Sequence, residues 1–176
     1  MRTKDLAYMA IFIALLAVCS WLAIPSAVPF TMQTFAVFMT VEMLGMKRGA
    51  LTIFAYILLG AVGVPVFAEF SGGLGVVMGT TGGYLIGFIG AALVMGLLER
   101  VIKGSGWRAM VRMVAGMVVY YVFGTIWFMW VYSAQNGPVS LAVVLSWCVF
   151  PFIVPDLVKA LLAVLLSARL KKHISL

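Results

Sequence analysis

Apolar runs about as long as a bilayer is thick recur along the whole chain, and they leave it few choices of fold. A backbone in lipid must satisfy its own N–H and C=O groups, so such runs become helices, of ~20 residues each. The first is expected over residues 6–24, ending before Pro25, with "IPSAVP" as a turn. Short spans at 30–44 and 50–62 follow, joined by the basic turn "GMKRG". Residues 63–79, rich in glycine and without helical period, read as an outer loop. Further spans are expected at 82–98, 110–132 and, after the loop "SAQNGP", 155–170. Pro155 suits a first helical position. "VSLAVVLSWCVFPF" is either a short helix over the outer mouth or a broken upper half of the last span. The expectation is one all-α integral membrane domain of six transmembrane helices. Composition agrees: 65% of the 176 residues are hydrophobic and 10% charged, against about half and a quarter in a soluble domain. The first apolar run is long enough to span and shows no A-x-A-like site, so no cleavable signal is expected. Cys19 and Cys148 lie far apart in apolar segments, without metal-site spacing, and read as small buried hydrophobes.

The charges set an orientation. Arg2 and Lys4 precede the first span; Lys47 and Arg48 join the second and third. Arg100, Lys103, Arg108 and Arg112 surround the fourth-to-fifth connection; Arg169, Lys171 and Lys172 follow the sixth. These are eleven of the twelve Lys and Arg residues, all on one side of an even-span topology. The positive-inside rule then places both termini in the cytoplasm. The net charge of +7 is thereby accounted for by topology and anionic lipid, and no nucleic acid is needed.

The twelfth cation is Lys159, in "VPDLVKALLAVLL" with Asp156. Residues at i and i+3 share a helix face. Lys159 precedes Lys171 by twelve residues, roughly 18 Å of helix, which puts it just beyond the bilayer midplane. A charge there costs at least ~3 kcal/mol unless paired. One reading is an ion pair that fixes packing, although buried pairs stabilise poorly compared with apolar residues. Another is a polar ligand site in an oily pocket. A proton relay lacks a second acidic group or His at that depth, since Glu42 falls near the cytoplasmic end of its helix. A membrane-embedded enzyme using Asp156 as acid or base would need a nucleophile, metal cluster or His beside it, and the sequence offers none.

Around this pair, other segments supply candidates. Gly79, Gly83, Gly87 and Ala91 recur every fourth position, a small-residue face for close helix packing. Gly72, Gly73 and Gly75 suit a lid over the mouth of a pocket; the stretch lacks the Lys-Ser/Thr ending of a P-loop. Thr80 and Thr81 are placed to cap the fourth helix. Tyr84, one turn in, offers a hydroxyl and a ring. Gln33, in "VPFTMQTFAVF", can donate and accept at once, as ligand contact or as loop contact. Trp127 and Trp130 fit an interfacial belt or a cavity wall. His173 is expected in solvent. Ala10 and Ala14, in "AIFIA", place small residues one turn apart, for internal packing or for docking another membrane helix.

Three segments, "VPFTMQTFAVF", "GVPVFAEFSGGLGVVMGTTGGYLIGF" and "PFIVPDLVKALLA", in this order, closely resemble BioY, the biotin-binding substrate-capture (S) component of energy-coupling factor (ECF) transporters. The resemblance runs nearly end to end. It implies the six-helix S-component fold in a bacterial cell membrane, and a biotin site near the outer face with no cofactor and no catalysis. Asp156 and Lys159 would contact biotin's polar groups. Tyr84, Phe67 and Trp127 would supply aromatic wall, and Gln33 and Thr81 further polar contacts. Asp156 could accept from a ureido N–H; Lys159 could donate to the ureido oxygen or hold the carboxylate. Ala10 and Ala14 would meet a transmembrane coupling protein, and two ATPase subunits would supply the energy. An S component for another vitamin, such as thiamin or riboflavin, and a purely structural membrane subunit remain as alternatives.

Overall fold

In a computed structural model, the protein is described over residues 3–26 and 28–172, which leaves His173 outside the described residues. Helix α1 (Thr3–Trp21) runs into a two-residue antiparallel ribbon, β1 (Ala23–Ile24) with β2 (Phe30–Thr31). The first helix therefore stops short of Ile24 and the second starts after Phe30. The ends of both apolar runs are spent on pairing Ala23 with Thr31 and Ile24 with Phe30.

Helix α2 (Gln33–Ala61) is two arms, not one rod. Gly45 sits at φ 74° and ψ 177°, a backbone region open only to glycine. A Cβ on Gly49 would lie 3.1 Å from the Cα of Val41, whereas eight residues along a straight helix span ~12 Å. The Gln33 side chain reaches the Tyr56 hydroxyl at 2.9 Å. The chain doubles back at Gly45, at the start of the basic "GMKRG" turn, so the arms 33–44 and 46–61 lie side by side.

After the loop over residues 63–79, with a 3-10 turn at Ala68–Phe70 and the short α3 (Leu74–Val77), come α4 (Gly82–Val101), α5 (Trp107–Asn136), α6 (Leu141–Cys148) and α7 (Phe150–Leu170). Among the described residues, five segments are long and apolar enough to cross a membrane, α6 and α7 counting together; dividing α2 at Gly45 gives the six helical segments of the bundle. Helix α5 outruns its expected bounds because a bilayer does not end a helix. It ends at Gly106 and Gly137, both at positive φ. Helix α7 begins at Phe150 rather than Pro155. Pro151 takes the early position that suits proline, and Pro155 lies inside the helix, where only one backbone bond near the start is lost. Only Val149, at φ −125° and ψ −60°, separates α6 from α7. The segment is thus a broken upper half of the last span.

Small residues set the packing of α4 on α5. A Cβ on Gly87 would lie 3.0 Å from the Tyr120 Cα. Gly83 lies against Trp127 and Gly124 under the Tyr84 ring. On the far side of α5, Val118, Val122, Ile126 and Trp130 are exposed one turn apart, a lipid-facing stripe. Thr81 occupies the N-cap position of α4, but its backbone is already helical and its side chain makes no capping bond.

The basic turns collect at one end of the bundle. Arg48 pairs with Asp5 at 3.2 Å. Arg112, which the sequence places among the connecting-loop cations, is instead buried at 1% exposure. Its Nη2 donates to both oxygens of Glu42 at 2.9 Å, and its Nη1 to the carbonyls of Ile102 and Gly104. Lys171 donates to the same carboxylate at 2.9 Å. One cluster thereby joins α2, the α4–α5 connection, α5 and the end of α7.

Candidate functional site

At the opposite end, the ribbon, the loop over residues 63–79 and helices α2, α4, α5 and α7 line a cavity of about 160 Å³. Asp156 and Lys159 both line it. They project from the same face of α7 because three residues are nearly one turn. Lys159 Nζ lies 2.8 Å from Asp156 Oδ1, and both residues are buried.

Three more groups converge on this carboxylate from other helices. Thr34, in the first turn of α2, donates to Oδ1 at 2.9 Å. Tyr120 and Tyr121 of α5 each donate to Oδ2 at 2.7 Å. With Lys159 that makes four donors, filling the roughly four acceptor positions of a carboxylate. The Lys159 ammonium also stands 4.3 Å from the centre of the Phe30 ring, a cation–π contact. The β ribbon is what sets Phe30 there. The site is thus a charged, hydrogen-bonded floor under walls of Phe67, Tyr84, Phe88 and Phe152. It combines one anion, one cation and hydroxyls with aromatic faces, which suits a compact ligand with adjacent donors and acceptors.

Of the residues singled out in the sequence, Gln33, Phe67, Thr81, Tyr84, Asp156 and Lys159 all line the cavity. Gln33 is held by the Tyr56 hydroxyl, which itself donates to the Val66 carbonyl at 2.8 Å. Tyr84 has Thr125 Oγ1 at 3.5 Å from its hydroxyl. Trp127 is not among the lining residues. It packs on Gly83, and its Nε1 donates to the Gly79 carbonyl at 2.9 Å, so it ties the end of the outer loop to α5. Phe30 and Thr34 lie in the segment that supplied Gln33 but were not singled out within it, and Tyr120 and Tyr121 have no distinguishing signal in the sequence. A tyrosine pair in an apolar span looks alike whether it faces lipid or a carboxylate.

The loop over residues 63–79 roofs the cavity and is anchored, not loose. Ser20 Oγ and the Tyr56 hydroxyl both donate to the Val66 carbonyl, and Trp21 Nε1 donates to that of Pro65 at 2.9 Å. Phe67 meets Tyr56 edge-on, and Phe70 stacks on Trp21 with ring centres 5.0 Å apart. Glu69 and Phe70 take positive φ of 58° and 55°, where a side chain is strained. Glu69 and Ser71 face the cavity from this turn. On α1, Ala10 and Ala14 are exposed, so they are not used in internal packing.

The sequence matches the BioY family over residues 1–176. It is 41% identical to the biotin transporter BioY of Thermotoga maritima, covering 96% of each chain. It is 38% identical to a probable biotin transporter BioY of Pyrococcus horikoshii, over 97% of this chain and 98% of the other. The fold superposes with a TM-score of 0.84 on the crystal structure of the S component for biotin from an ECF-type transporter, at 27% identity and covering 98% and 95% of the two chains. A further S component of a bacterial ECF transporter shares the fold at a TM-score of 0.64 and 15% identity, over 98% of each chain.

Proposed function

Because the chain belongs to the BioY family and serves biotin uptake through an ECF transporter as a multi-pass membrane protein, we propose that the Asp156–Lys159 floor is where biotin is captured. The observation that carries this is the pair itself, buried, 2.8 Å apart and lining a cavity. A ureido group presents N–H and C=O side by side. One such group spans the pair, with Asp156 accepting from N–H and Lys159 donating to the oxygen. Charge-assisted bonds of this kind are roughly twice as strong as neutral ones. Phe67 and Tyr84 pack on the apolar thioether ring, Gln33 and Thr81 contribute polar contacts, and the roof over residues 63–79 closes on the ligand.

The chain is a transporter subunit, not an enzyme. In this reading it is a single membrane domain with both termini cytoplasmic, supported by the basic turns gathered at the end opposite the cavity. The exposed Ala10 and Ala14 face meets one transmembrane coupling protein, which two ATPases drive. The cavity then loads from outside and empties inward.

The test is calorimetric titration of the purified protein with biotin, thiamin and riboflavin, beside Asp156→Asn and Lys159→Ala. Biotin alone is expected to bind, and both variants to lose it. Equal binding by the variants would make the pair structural; a preference for thiamin or riboflavin would assign the pocket to another vitamin.

A further inference from the structure

The four donors on Asp156 raise a difficulty that bears on selectivity. Its carboxylate has no acceptor position to spare, so a ligand N–H can reach it only by replacing a donor already present. The four are not equally replaceable. Lys159 is the counter-ion, and its removal would leave two buried charges apart. Thr34 is buried in the first turn of α2. Tyr120 is 2% exposed and wedged: its backbone abuts Gly87, and its ring meets Phe88 edge-on with centres 5.2 Å apart. All four line the cavity, but Tyr121 alone among them is only partly buried, and Tyr120 stays on Oδ2 if Tyr121 leaves.

We propose that Tyr121 is an exchangeable donor, whose hydroxyl holds Asp156 Oδ2 until a ligand N–H takes its place. The inference rests on the biotin reading above and adds a selection rule to it. The carboxylate is kept satisfied in both situations, so a ligand that brings an N–H exchanges one hydrogen bond for another. A ligand of the same shape without a donor displaces the tyrosine and leaves a buried acceptor unpaired, which costs about 1–3 kcal/mol, or roughly 5- to 150-fold in affinity.

The exchange predicts an unusual sign. In Tyr121→Phe the donor is missing only before the ligand arrives, so the ligand-free protein should melt lower, by about 2–4 °C, while biotin binds tighter, by roughly five-fold. Tyr120→Phe removes a donor that stays in both situations; it should lower the melting temperature without tightening binding. The measurements are melting in detergent and calorimetric titration with biotin, on wild type and both variants. Unchanged or weaker biotin binding by Tyr121→Phe, or equal tightening by Tyr120→Phe, would overturn the exchange while leaving the biotin reading intact. Silence of the wild-type protein towards biotin would sink that reading and the exchange with it.

Discussion

Two buried ionic clusters sit along the first arm of α2, about eight residues or ~12 Å apart, and they do different things. Asp156 is held by Thr34, Tyr120, Tyr121 and Lys159. Glu42 is held by Arg112 and Lys171, and Arg112 also binds two backbone carbonyls. Both clusters satisfy their charges, as a low-dielectric setting demands. The first lines the cavity. The second knits helix ends: it ties the α4–α5 connection and the last residues of α7 to the α2 hairpin. A buried charge in a membrane protein is therefore not by itself a sign of a binding site. The distinction lies in what the cluster's partners are. Hydroxyls and an aromatic face around a carboxylate leave room for exchange, whereas a guanidinium clamped to carbonyls is a fastening.

Substitutions can break or sharpen this contrast. The largest effect is expected from Arg112→Met, which leaves Glu42 with Lys171 alone and frees the carbonyls of Ile102 and Gly104. Stability should fall by about 3–5 kcal/mol, seen as early melting in detergent, while the surviving folded protein keeps biotin affinity within about three-fold. A large loss of affinity would mean the fastening is coupled to the cavity.

Lys159→Met should differ in reaching the cavity as well as the fold. Three hydroxyl donors remain on Asp156 but its counter-ion does not, so stability should also fall by about 3–5 kcal/mol, while in the surviving folded protein biotin affinity drops by roughly 10- to 150-fold through the lost charge-assisted bond. Retained affinity by titration would count against any ligand role for the ammonium.

Gly87→Val lies between the two, since its added carbons meet Tyr120. Overpacking of this kind costs about 1–3 kcal/mol, and because Tyr120 is bound to Asp156, melting temperature and affinity should fall together. Trp127→Phe removes the indole bond to Gly79, worth ~1 kcal/mol. It should act on the roof rather than the floor, raising the biotin off-rate by about five-fold in a chase experiment. Lys171→Met is expected to be the mildest. Its side chain is 40% exposed, so the loss should stay within about 1 kcal/mol and shift melting only slightly.

Much of this protein could be read along the chain because one-dimensional rules carry it. Runs of apolar residues set the spans, since lipid admits only a backbone that bonds to itself. "GMKRG" announced the hairpin, because Gly45 alone can take the backbone angles of the reversal. The spacing of Asp156 and Lys159 put them on one face. Gly83 and Gly87 marked where α4 could approach α5. The tertiary structure decided what lies far apart in sequence. Thr34 and Tyr120 meet Asp156 from 122 and 36 residues away, Arg112 leaves its basic connection for Glu42, and Trp127 turns from the cavity to hold Gly79. Each depends on how a helix is rotated about its axis and on the reach of one side chain. Composition and spacing do not encode these; they follow only when all the helices pack at once and every buried polar group must find its partner.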